Sequence, residues 1–499
     1  MGKKIKSLID LLPEAKIIGD ENKCIDTIEH DSRKVGKNSL FVCIPGAKVD
    51  GHNYISQAVQ NGAVAVLVEK DIVEIDGVTI IKVDDVKAAI QAIVPYFYDY
   101  PARKLRMIGI TGTNGKTTTS YLIRAILRNA GFKVGVIGTI QIMIEDEVFP
   151  IHNTTPDIID LQAILANMQA KGMDYVVMEV SSHALALNRV AGCEFDTAVF
   201  TNVTQDHLDF HKTFENYIEA KSKLFASLTL LTNCKENKTA VINIDDSAAK
   251  AMLAKSECRT ISYAIHKNAD LKAENINVLA NGAKFSIHSN FANLDLNLKI
   301  TGIFNVYNVM GAVGAAFAEG IKADVIKQTL ESFESVPGRF ELVDEGQTFS
   351  VIVDYAHTPD GLENILKTAR QIAILLLYLV VVVTAIAQNV QLWEELRRSY
   401  RMLSLLRLII RAQKIQSLFY RKLKKEFWRL LAIKNIKRLR IENQQLKKQF
   451  LWQVRGILSL LLVKGMKIIK SLKTKPFILM TRKLQEMCLG GLDNARVYN

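Results

Sequence analysis

The last 126 residues of this 499-residue chain contain little of what a folded ligand-binding α/β domain uses. Residues 374–499 hold one proline, four glycines and a single aspartate, although turn formers and carboxylates are common in such domains. The segment has 26 of the 64 Lys and Arg residues but only six of the 51 Asp and Glu residues. The net charge of +13 therefore comes from this tail, and the preceding body is mildly acidic.

Paired cysteines and a secretion signal are also absent. The six cysteines are scattered, with no C-x-x-C pair and no zinc-ligand spacing, which predicts free thiols. The first 16 residues are basic but lack the unbroken apolar stretch of a signal peptide. We therefore expect a cytoplasmic protein.

The longest apolar run, residues 372–387, has 16 residues, short of the roughly 20 that span a bilayer. A membrane anchor with a basic flank stays a possible interpretation of the tail. A basic helical nucleic-acid arm is another, although its Lys and Arg residues alternate with Leu and Ile rather than forming one face. For residues 1–373 we expect neither a membrane nor a nucleic-acid partner.

The rest of the chain reads as α/β. Residues 1–98 predict a small α/β domain, and residues 95–105 predict a linker. Residues 99–335 alternate apolar strands with helical patterns, which is typical of a doubly wound, mostly parallel sheet. Residues 336–373 would begin a third, Rossmann-like domain, and residues 374–499 would be helical or disordered, because Leu, Lys, Arg and Gln favour helices.

A glycine-containing loop, TGTNGKT, lies between a predicted strand and a predicted helix. Its backbone N–H groups offer partial positive charge to a phosphate, Lys116 can reach the β- and γ-phosphates, and the Thr117 hydroxyl suits Mg²⁺. The strict G-x-x-x-x-G-K-[ST] motif fails because Ile110 stands at its first glycine, so a plain glycine turn is the alternative. The predicted nucleotide contacts are Gly112, Thr113, Asn114, Gly115, Lys116, Thr117 and Thr118.

This loop resembles that of the Mur ligases, ATP-dependent enzymes that build the peptide of peptidoglycan. Further stretches match the family in order and spacing over residues 1 to about 373: HDSRKV, GAKVDGH, NTTPD, MEVSSHAL, TNVTQDHLDFH, YIEAKSKLF, GIFNVYN, PGRFE and DYAHTPDGL. The set is most similar to members that join a diamino acid to UDP-N-acetylmuramoyl-L-Ala-D-Glu.

The resemblance implies a reaction and a set of residues. Such enzymes transfer the ATP γ-phosphoryl group to a carboxylate, and an amine then attacks the acyl phosphate, so positioned charge matters most. Lys116, Lys221 and His207 would be catalytic, and Thr117, Glu179 and His207 would bind Mg²⁺. Lys221 matches the carbamylated lysine of the family, which would bind a second Mg²⁺.

The resemblance also assigns substrate contacts. Ser32 would lie near the uridine end of the sugar nucleotide, and the muramoyl-dipeptide would be held by Thr154, Thr155, Ser181 and Arg189. The remaining ATP contacts would be Asn305, Asn308, Arg339, Asp354 and His357. We expect a monomer.

Family members continue with an amino-acid-binding domain, whereas this chain changes character near Ala373. Synonymous codons can be chosen for residues 377–393 so that a shifted reading frame also encodes a protein-like segment. When the last base of each codon is read with the first two bases of the next, the result is VFGCGGDRDRTKRPIM, which resembles the start of that domain. Residues 408–416 and 463–482 regroup in the same phase to DNPRTEDP and GKGHEDYQIIKDKTIHFDD. We therefore predict a frame change near residue 373.

The regrouped DNPR resembles the signature of members that add meso-diaminopimelate, whose extra carboxylate suits an arginine. We therefore predict a meso-diaminopimelate-adding ligase whose activity in this chain is impaired. Three alternatives stay open: an L-lysine-adding enzyme, a folylpolyglutamate synthetase-like ligase, and a non-catalytic nucleotide-binding protein with a membrane-associated tail.

Overall fold

The fold is described from a computed structural model. The structure describes residues 2–46, 49–151, 153–279, 282–343 and 350–354, together with Ala356, Ile365, Thr368, Leu375–Leu377 and Phe477–Met480. The chain divides into two compact units, residues 1–339 with 356–372 and residues 340–355 with 373–499. His357 and most of the tail lie outside the described residues.

The N-terminal region is mixed α/β, which is the fold class predicted for it from the sequence. Its main sheet has the order β2-β7-β6-β5-β4, with only β2 antiparallel to its neighbour. The strands are β1 (Lys3–Lys4), β2 (Lys16–Ile18), β3 (Cys24–Ile25), β4 (Thr27–Glu29), β5 (Ser39–Val42), β6 (Ala63–Val68) and β7 (Thr79–Lys82). The helices are α1 (Ile5–Ile9), α2 (Ile55–Gln60) and α3 (Val86–Phe97), with a 3-10 turn at Gly51–Tyr54.

Helix α3 extends into the segment that the sequence assigned to a linker. The Asp85 carboxylate caps its start by accepting from the backbone N–H groups of Lys87 and Ala88. The helix continues through Pro95 to Phe97, so the linker prediction is wrong for residues 95–97. Val94, Pro95 and Phe97 are buried, and packing of this apolar face outweighs the helix-breaking tendency of proline.

The central domain is built on one large sheet with the order β11-β10-β9-β12-β8-β13-β14-β15-β16-β17-β18. Its strands are β8 (Arg106–Thr111), β9 (Val134–Ile137), β10 (Ile142–Ile144), β11 (Glu147–Phe149), β12 (Tyr175–Glu179), β13 (Thr197–Phe200), β14 (Thr239–Asn243), β15 (Arg259–Ala264), β16 (Leu271–Leu279), β17 (Gly282–Ser289) and β18 (Leu294–Leu298). The strands from β9 to β16 in this order run parallel, and the two outermost pairings at each edge of the sheet are antiparallel. The mostly parallel sheet predicted from the sequence is confirmed.

Helices cover both faces of the central sheet, which makes the domain doubly wound. They are α4 (Lys116–Asn129), α5 (Ile158–Ala170), α6 (Ser182–Ala186), α7 (Leu208–His211), α8 (Phe214–Ala226), α9 (Ala249–Ala254), α10 (Ile303–Ala318) and α11 (Ala323–Ser332), after a 3-10 turn at Pro101–Lys104. One apolar core lies under α4, α10 and α11, and the other lies under α5, α8 and α9. Strand β8 sits between β12 and β13, where the chain winds in both directions and the carboxyl ends of the strands leave a crevice for a ligand.

The second unit contains a four-stranded sheet with the order β19-β20-β22-β21. The strands are β19 (Glu341–Val343), β20 (Ser350–Val353), β21 (Leu375–Leu377) and β22 (Phe477–Met480), and β20, β22 and β21 run parallel. The seven described residues of the tail are therefore strands, which differs from the helices expected there. Both segments are uncharged apolar runs, which suit the interior of a parallel sheet.

In the described part of the chain, no helix is both long and apolar enough to cross a membrane.

Candidate functional site

The glycine loop between β8 and α4 is shaped by two close backbone approaches. Gly112 has a φ of +149°, and a Cβ there would lie 1.9 Å from Oγ1 of Thr201. Gly115, at the N-terminus of α4, has a φ of +89°, and a Cβ would lie 2.2 Å from Oδ1 of Asn308. Glycine is thus required at both positions, and the loop presents backbone at the positive end of a 14-residue helix.

Lys116 is folded back onto this loop. Its Nζ donates to the carbonyl oxygens of Gly112 at 2.8 Å and Thr113 at 3.0 Å. Burial lowers the pKa of the Lys116 ammonium; Glu179 opposes that shift and Arg339 adds to it. A phosphate placed here would add negative charge next to this partly buried cation.

Thr117 and Glu179 form the polar centre of the site. The buried carboxylate of Glu179, 1% exposed at the end of β12, accepts from the Thr117 hydroxyl at 3.0 Å. It also accepts from the backbone N–H of Thr139 at 3.0 Å and from its hydroxyl at 2.9 Å. The Arg339 guanidinium donates to Oγ1 of Thr117 at 3.1 Å. Three donor groups, the Thr117 hydroxyl and the N–H and hydroxyl of Thr139, therefore converge on one carboxylate, and Arg339 lies behind Thr117.

The loop after β13 fastens the glycine loop from the other side. Asn202 Oδ1 accepts from the backbone N–H of Asn114 at 3.0 Å, and its Nδ2 donates to the carbonyl of Asn114 at 3.1 Å. The Thr113 hydroxyl accepts from the backbone N–H of Thr204 at 3.0 Å and lies 3.0 Å from the hydroxyl of Tyr217. These contacts tie the glycine loop to the loop after β13 through both side-chain and backbone groups.

Lys221 is buried under the glycine loop. It is 1% exposed, its Nζ donates to the carbonyl oxygen of Gly112 at 2.9 Å, and the same atom lies 4.4 Å from the ring centre of Tyr217. Burial lowers the pKa of its ammonium well below the ordinary value, with Lys116 adding to the shift and Asp206 opposing it. Burial of this kind favours the neutral amine of a lysine over its ammonium form.

His207 lies on the same loop as Asn202, in a left-handed conformation with φ of +53°. Its Nε2 lies 3.3 Å from Asp206, and its ring packs edge-on against that of His183, 4.7 Å between centroids. Burial lowers the pKa of the His207 imidazole, Asp206 opposes this, and the charges of Lys221 and Lys116 add to it. A neutral imidazole is the form that binds a metal.

The residues assigned to the muramoyl-dipeptide lie beside Glu179. The Thr155 hydroxyl donates to the Glu179 carbonyl at 2.8 Å and accepts from the backbone N–H of Ser181 at 3.0 Å. The Thr154 hydroxyl lies 3.1 Å from that of Thr139, and the Arg189 side chain contacts Asp157 at 2.7 Å. Ser32, in contrast, belongs to the N-terminal domain, where its hydroxyl donates to Oε1 of Gln57 at 2.8 Å.

The remaining predicted ATP contacts fall into two groups. Asn305 and Asn308 begin α10, and Nδ2 of Asn308 donates to Oδ1 of Asn305 at 3.0 Å, beside Gly115. Asp354 belongs to the second unit and accepts from the backbone N–H of Phe340 at 2.6 Å. His357 lies outside the described residues.

These residues fit a nucleotide and at least one divalent cation. The glycine cradle would be filled by any Cβ, and the Thr117 and Glu179 oxygens are hard donors of the kind Mg²⁺ prefers. Among the described residues no group of three or more His, Cys, Asp or Glu forms a ready-made metal cluster. A phosphate would therefore complete the ligand set, as is usual for Mg²⁺.

Sequence reasoning missed Thr139, Asn202 and Tyr217. Thr139 and Asn202 each lie two residues past the end of a parallel strand, and that position is the signal that could have found them. Tyr217 precedes Lys221 by one helical turn, so both project from the same face of α8.

Three family models match the chain: "Mur ligase family, catalytic domain" over residues 25–98, "Mur ligase middle domain" over residues 110–316, and "Mur ligase, glutamate ligase domain" over residues 338–402. The last match runs past the predicted frame change at residue 374, which stays a prediction.

Curated relatives share the name UDP-N-acetylmuramoyl-L-alanyl-D-glutamate--2,6-diaminopimelate ligase. The Bacillus cereus protein is 45% identical over 74% of this chain and 75% of its own length, and that of Oceanobacillus iheyensis is 45% identical over 76% and 77%. The Clostridium botulinum protein is 46% identical over 72% and 73%.

Solved structures agree on the fold. A structure titled with the same ligase name is 28% identical, covers 76% of this chain and 77% of its own, and has a TM-score of 0.63. A structure of MurF from Acinetobacter baumannii covers 98% of this chain and 99% of its own with a TM-score of 0.65 at 18% identity. From its domain matches and its relatives at about 45% identity, we conclude that the chain belongs to the Mur ligase family.

Proposed function

We propose that this protein is the ATP-dependent ligase that joins meso-diaminopimelate to UDP-N-acetylmuramoyl-L-alanyl-D-glutamate in peptidoglycan precursor synthesis. The observation that carries the proposal is the identity of 43–46% with relatives named for this reaction, over about three quarters of the chain. The arrangement of the glycine loop around Glu179 supports the use of ATP in this reaction. We further propose that the protein works in the cytoplasm, where this precursor is assembled, and as a monomer.

The residues of the site have separable tasks. ATP supplies the phosphoryl group that makes the D-glutamyl carboxylate a good acyl donor, and bound Mg²⁺ neutralises phosphate charge. The backbone of Gly112–Gly115 and the ammonium of Lys116 orient the phosphates. Thr117, Glu179 and the neutral imidazole of His207 would hold Mg²⁺. Lys221, once carbamylated, would hold a second ion. The D-glutamyl carboxylate would be placed beside Glu179 by Thr154, Thr155, Ser181 and Arg189.

We also propose that Lys221 is carbamylated in the active protein. Carbon dioxide adds to a neutral amine, with loss of one proton, and gives a carboxylate. Burial of Lys221 favours the neutral amine, and the carboxylate would face Lys116 and the phosphates. Mass spectrometry of the native protein in bicarbonate should show a carbon dioxide adduct that Lys221→Arg lacks. An unmodified Lys221 in saturating bicarbonate and Mg²⁺ contradicts this assignment.

The function is tested by product formation. The chain and a single-base-corrected form, with the frame restored near codon 373, are supplied with ATP, Mg²⁺ and UDP-N-acetylmuramoyl-L-Ala-D-Glu. Meso-diaminopimelate should give a tripeptide product in the corrected form, and L-lysine should give much less. Preference for L-lysine would favour the lysine-adding alternative, and ATP hydrolysis stimulated by a folate rather than by the sugar nucleotide would contradict the proposal.

A further inference from the structure

Two buried isoleucines of the central domain belong to the core of the N-terminal domain. Ile158 and Ile159 begin α5, directly after the Thr154–Asp157 segment, and are 4% and 2% exposed. They pack in a buried cluster whose other buried members all come from residues 1–98, including Ile90 and Ile93 of α3. The dipeptide-binding segment of the central domain therefore ends inside its neighbour's core.

The segment around Arg189, which is also assigned to the dipeptide, is anchored to the same helix, α3. Next to Arg189, the side-chain amide of Asn188 donates to Oε1 of Gln91 at 2.6 Å. Gly192 has a φ of +75°, and a Cβ there would lie 2.5 Å from Cγ of Pro95. Helix α3 thus lies against both segments that flank the proposed dipeptide site.

An ion pair spans the same junction but contributes little to it. Lys34, two residues after Ser32, lies 3.5 Å from Asp160 on the first turn of α5, and both side chains are exposed. Exposed pairs contribute between zero and about 1 kcal/mol. The apolar contacts of Ile158 and Ile159, rather than this pair, hold the two domains together.

We propose that Ile158 and Ile159 are positioning residues that hold the uridine-binding and dipeptide-binding sites at one fixed separation, so that the protein selects nucleoside-diphosphate sugars of matching length. The inference rests on the proposed function, which puts the uridine end at Ser32 and the dipeptide at Thr154, Thr155 and Arg189. When one end of such a substrate is bound, the other end binds as if in an intramolecular step, provided that the two sites are rigidly joined. If the junction between the domains is loosened, the gain in affinity for the whole substrate is lost. Each end of the substrate still binds by itself.

The experiment compares a whole substrate with one of its ends. Affinities of the full chain for UDP-N-acetylmuramoyl-L-Ala-D-Glu and for UDP alone are measured by calorimetry in the unaltered protein and in Ile159→Ala. We expect the affinity for the whole substrate to fall about tenfold or more and that for UDP to stay within about twofold. Ile5→Ala is the matched control, because Ile5 is 0% exposed in the same cluster but lies on α1. It should leave the ratio of the two affinities unchanged.

The outcomes separate the inference from a structural role and from the proposed function. An unchanged ratio in Ile159→Ala overturns the inference, as does an equal fall of both affinities, which a general loss of structure would produce. If thermal unfolding shows that Ile159→Ala does not fold, Ile159→Val removes one methyl group and should change the ratio in the same direction, by about two- to threefold; an unchanged ratio there also overturns the inference. Failure of the unaltered chain to bind the whole substrate overturns the proposed function, and the inference with it.

Discussion

The hydroxyl of Thr117 donates to Oε2 of Glu179 across 3.0 Å, which ties the first turn of α4 to the carboxyl end of β12. Both side chains are almost fully buried, at 4% and 1% exposed. A carboxylate removed from water in this way needs a cation or several donors. Here Thr117 and Thr139 supply the donors, and Arg339 lies next to Thr117.

Glu179→Gln should weaken Mg²⁺-dependent nucleotide binding. The amide keeps the shape of the carboxylate but removes the charge that a divalent cation requires. We expect the affinity for Mg-ATP to fall about tenfold or more, about 1.4 kcal/mol, with little change in the absence of Mg²⁺. A fluorescent nucleotide titration with and without Mg²⁺ measures both. Glu215→Gln, at an exposed position of α8, is the control, and an equal effect of the two variants would contradict the role given to Glu179.

Gly115→Ala should destabilise the protein more than Gly131→Ala, although both glycines flank α4 with similar φ angles. Their φ values are +89° and +95°, so either alanine incurs the left-handed penalty of about 1–2 kcal/mol. Only at Gly115 does the new Cβ meet another group, Oδ1 of Asn308 at 2.2 Å. We expect a further loss of about 1–3 kcal/mol in urea unfolding, together with loss of nucleotide binding. Equal unfolding free energies would show that the loop is loosely held.

The stability of the protein should fall in acid through His211. This side chain is 6% exposed, and its Nε2 lies 2.9 Å from the Ser182 hydroxyl. Burial, with the nearby charges of His183, Lys221 and His207, lowers its pKa to about 4, whereas Asp209 acts in the opposite direction. The unfolded chain therefore binds a proton that the folded one does not, and stability present above the unfolded pKa is lost as the pH falls towards 4.

The measurement is the free energy of unfolding in urea at pH 7 and at pH 4.5. We expect a loss of about 2 kcal/mol from this group, because polar surroundings screen part of the full shift. His211→Gln, which can still bond to Ser182, should reduce the pH dependence by that amount. An unchanged pH dependence in the variant would assign the acid sensitivity to other groups.

The sequence predicted the central sheet and the glycine loop because both depend on local patterns. Apolar strands such as β8, β12 and β13 are continuous runs, and Gly131, just past the end of α4 with a positive φ, is the type of residue that commonly terminates a helix. The partners of the loop were not predictable in this way. Asn202 is bonded to Asn114, 88 residues earlier, and such a pairing depends on strand order, which single-sequence patterns do not give.

The domain junction shows the same limit. Ile158 and Ile159 read as ordinary helix residues of the central domain, and nothing in their spacing indicates that they pack against α3 of the preceding domain. Proline disfavours helix interiors, so the sequence does not predict that α3 continues through Pro95. Its tolerance depends on burial beside Gly192, a contact between segments 97 residues apart.

Restoring the reading frame near codon 373 should restore the ligase. Residues 1–373 retain the glycine loop, Glu179 and the residues assigned to the dipeptide. The residues that would position diaminopimelate are the ones predicted to be out of frame. Without a positioned amine, attack on the acyl phosphate becomes a slow bimolecular step. We expect at least about 100-fold higher tripeptide formation in the corrected protein, with nucleotide affinity similar in both forms. A synonymous change at codon 373 is the control, and the nucleotide sequence across codons 365–385 locates the shift. Equal turnover of the two forms would show that residues 374–499 act as written.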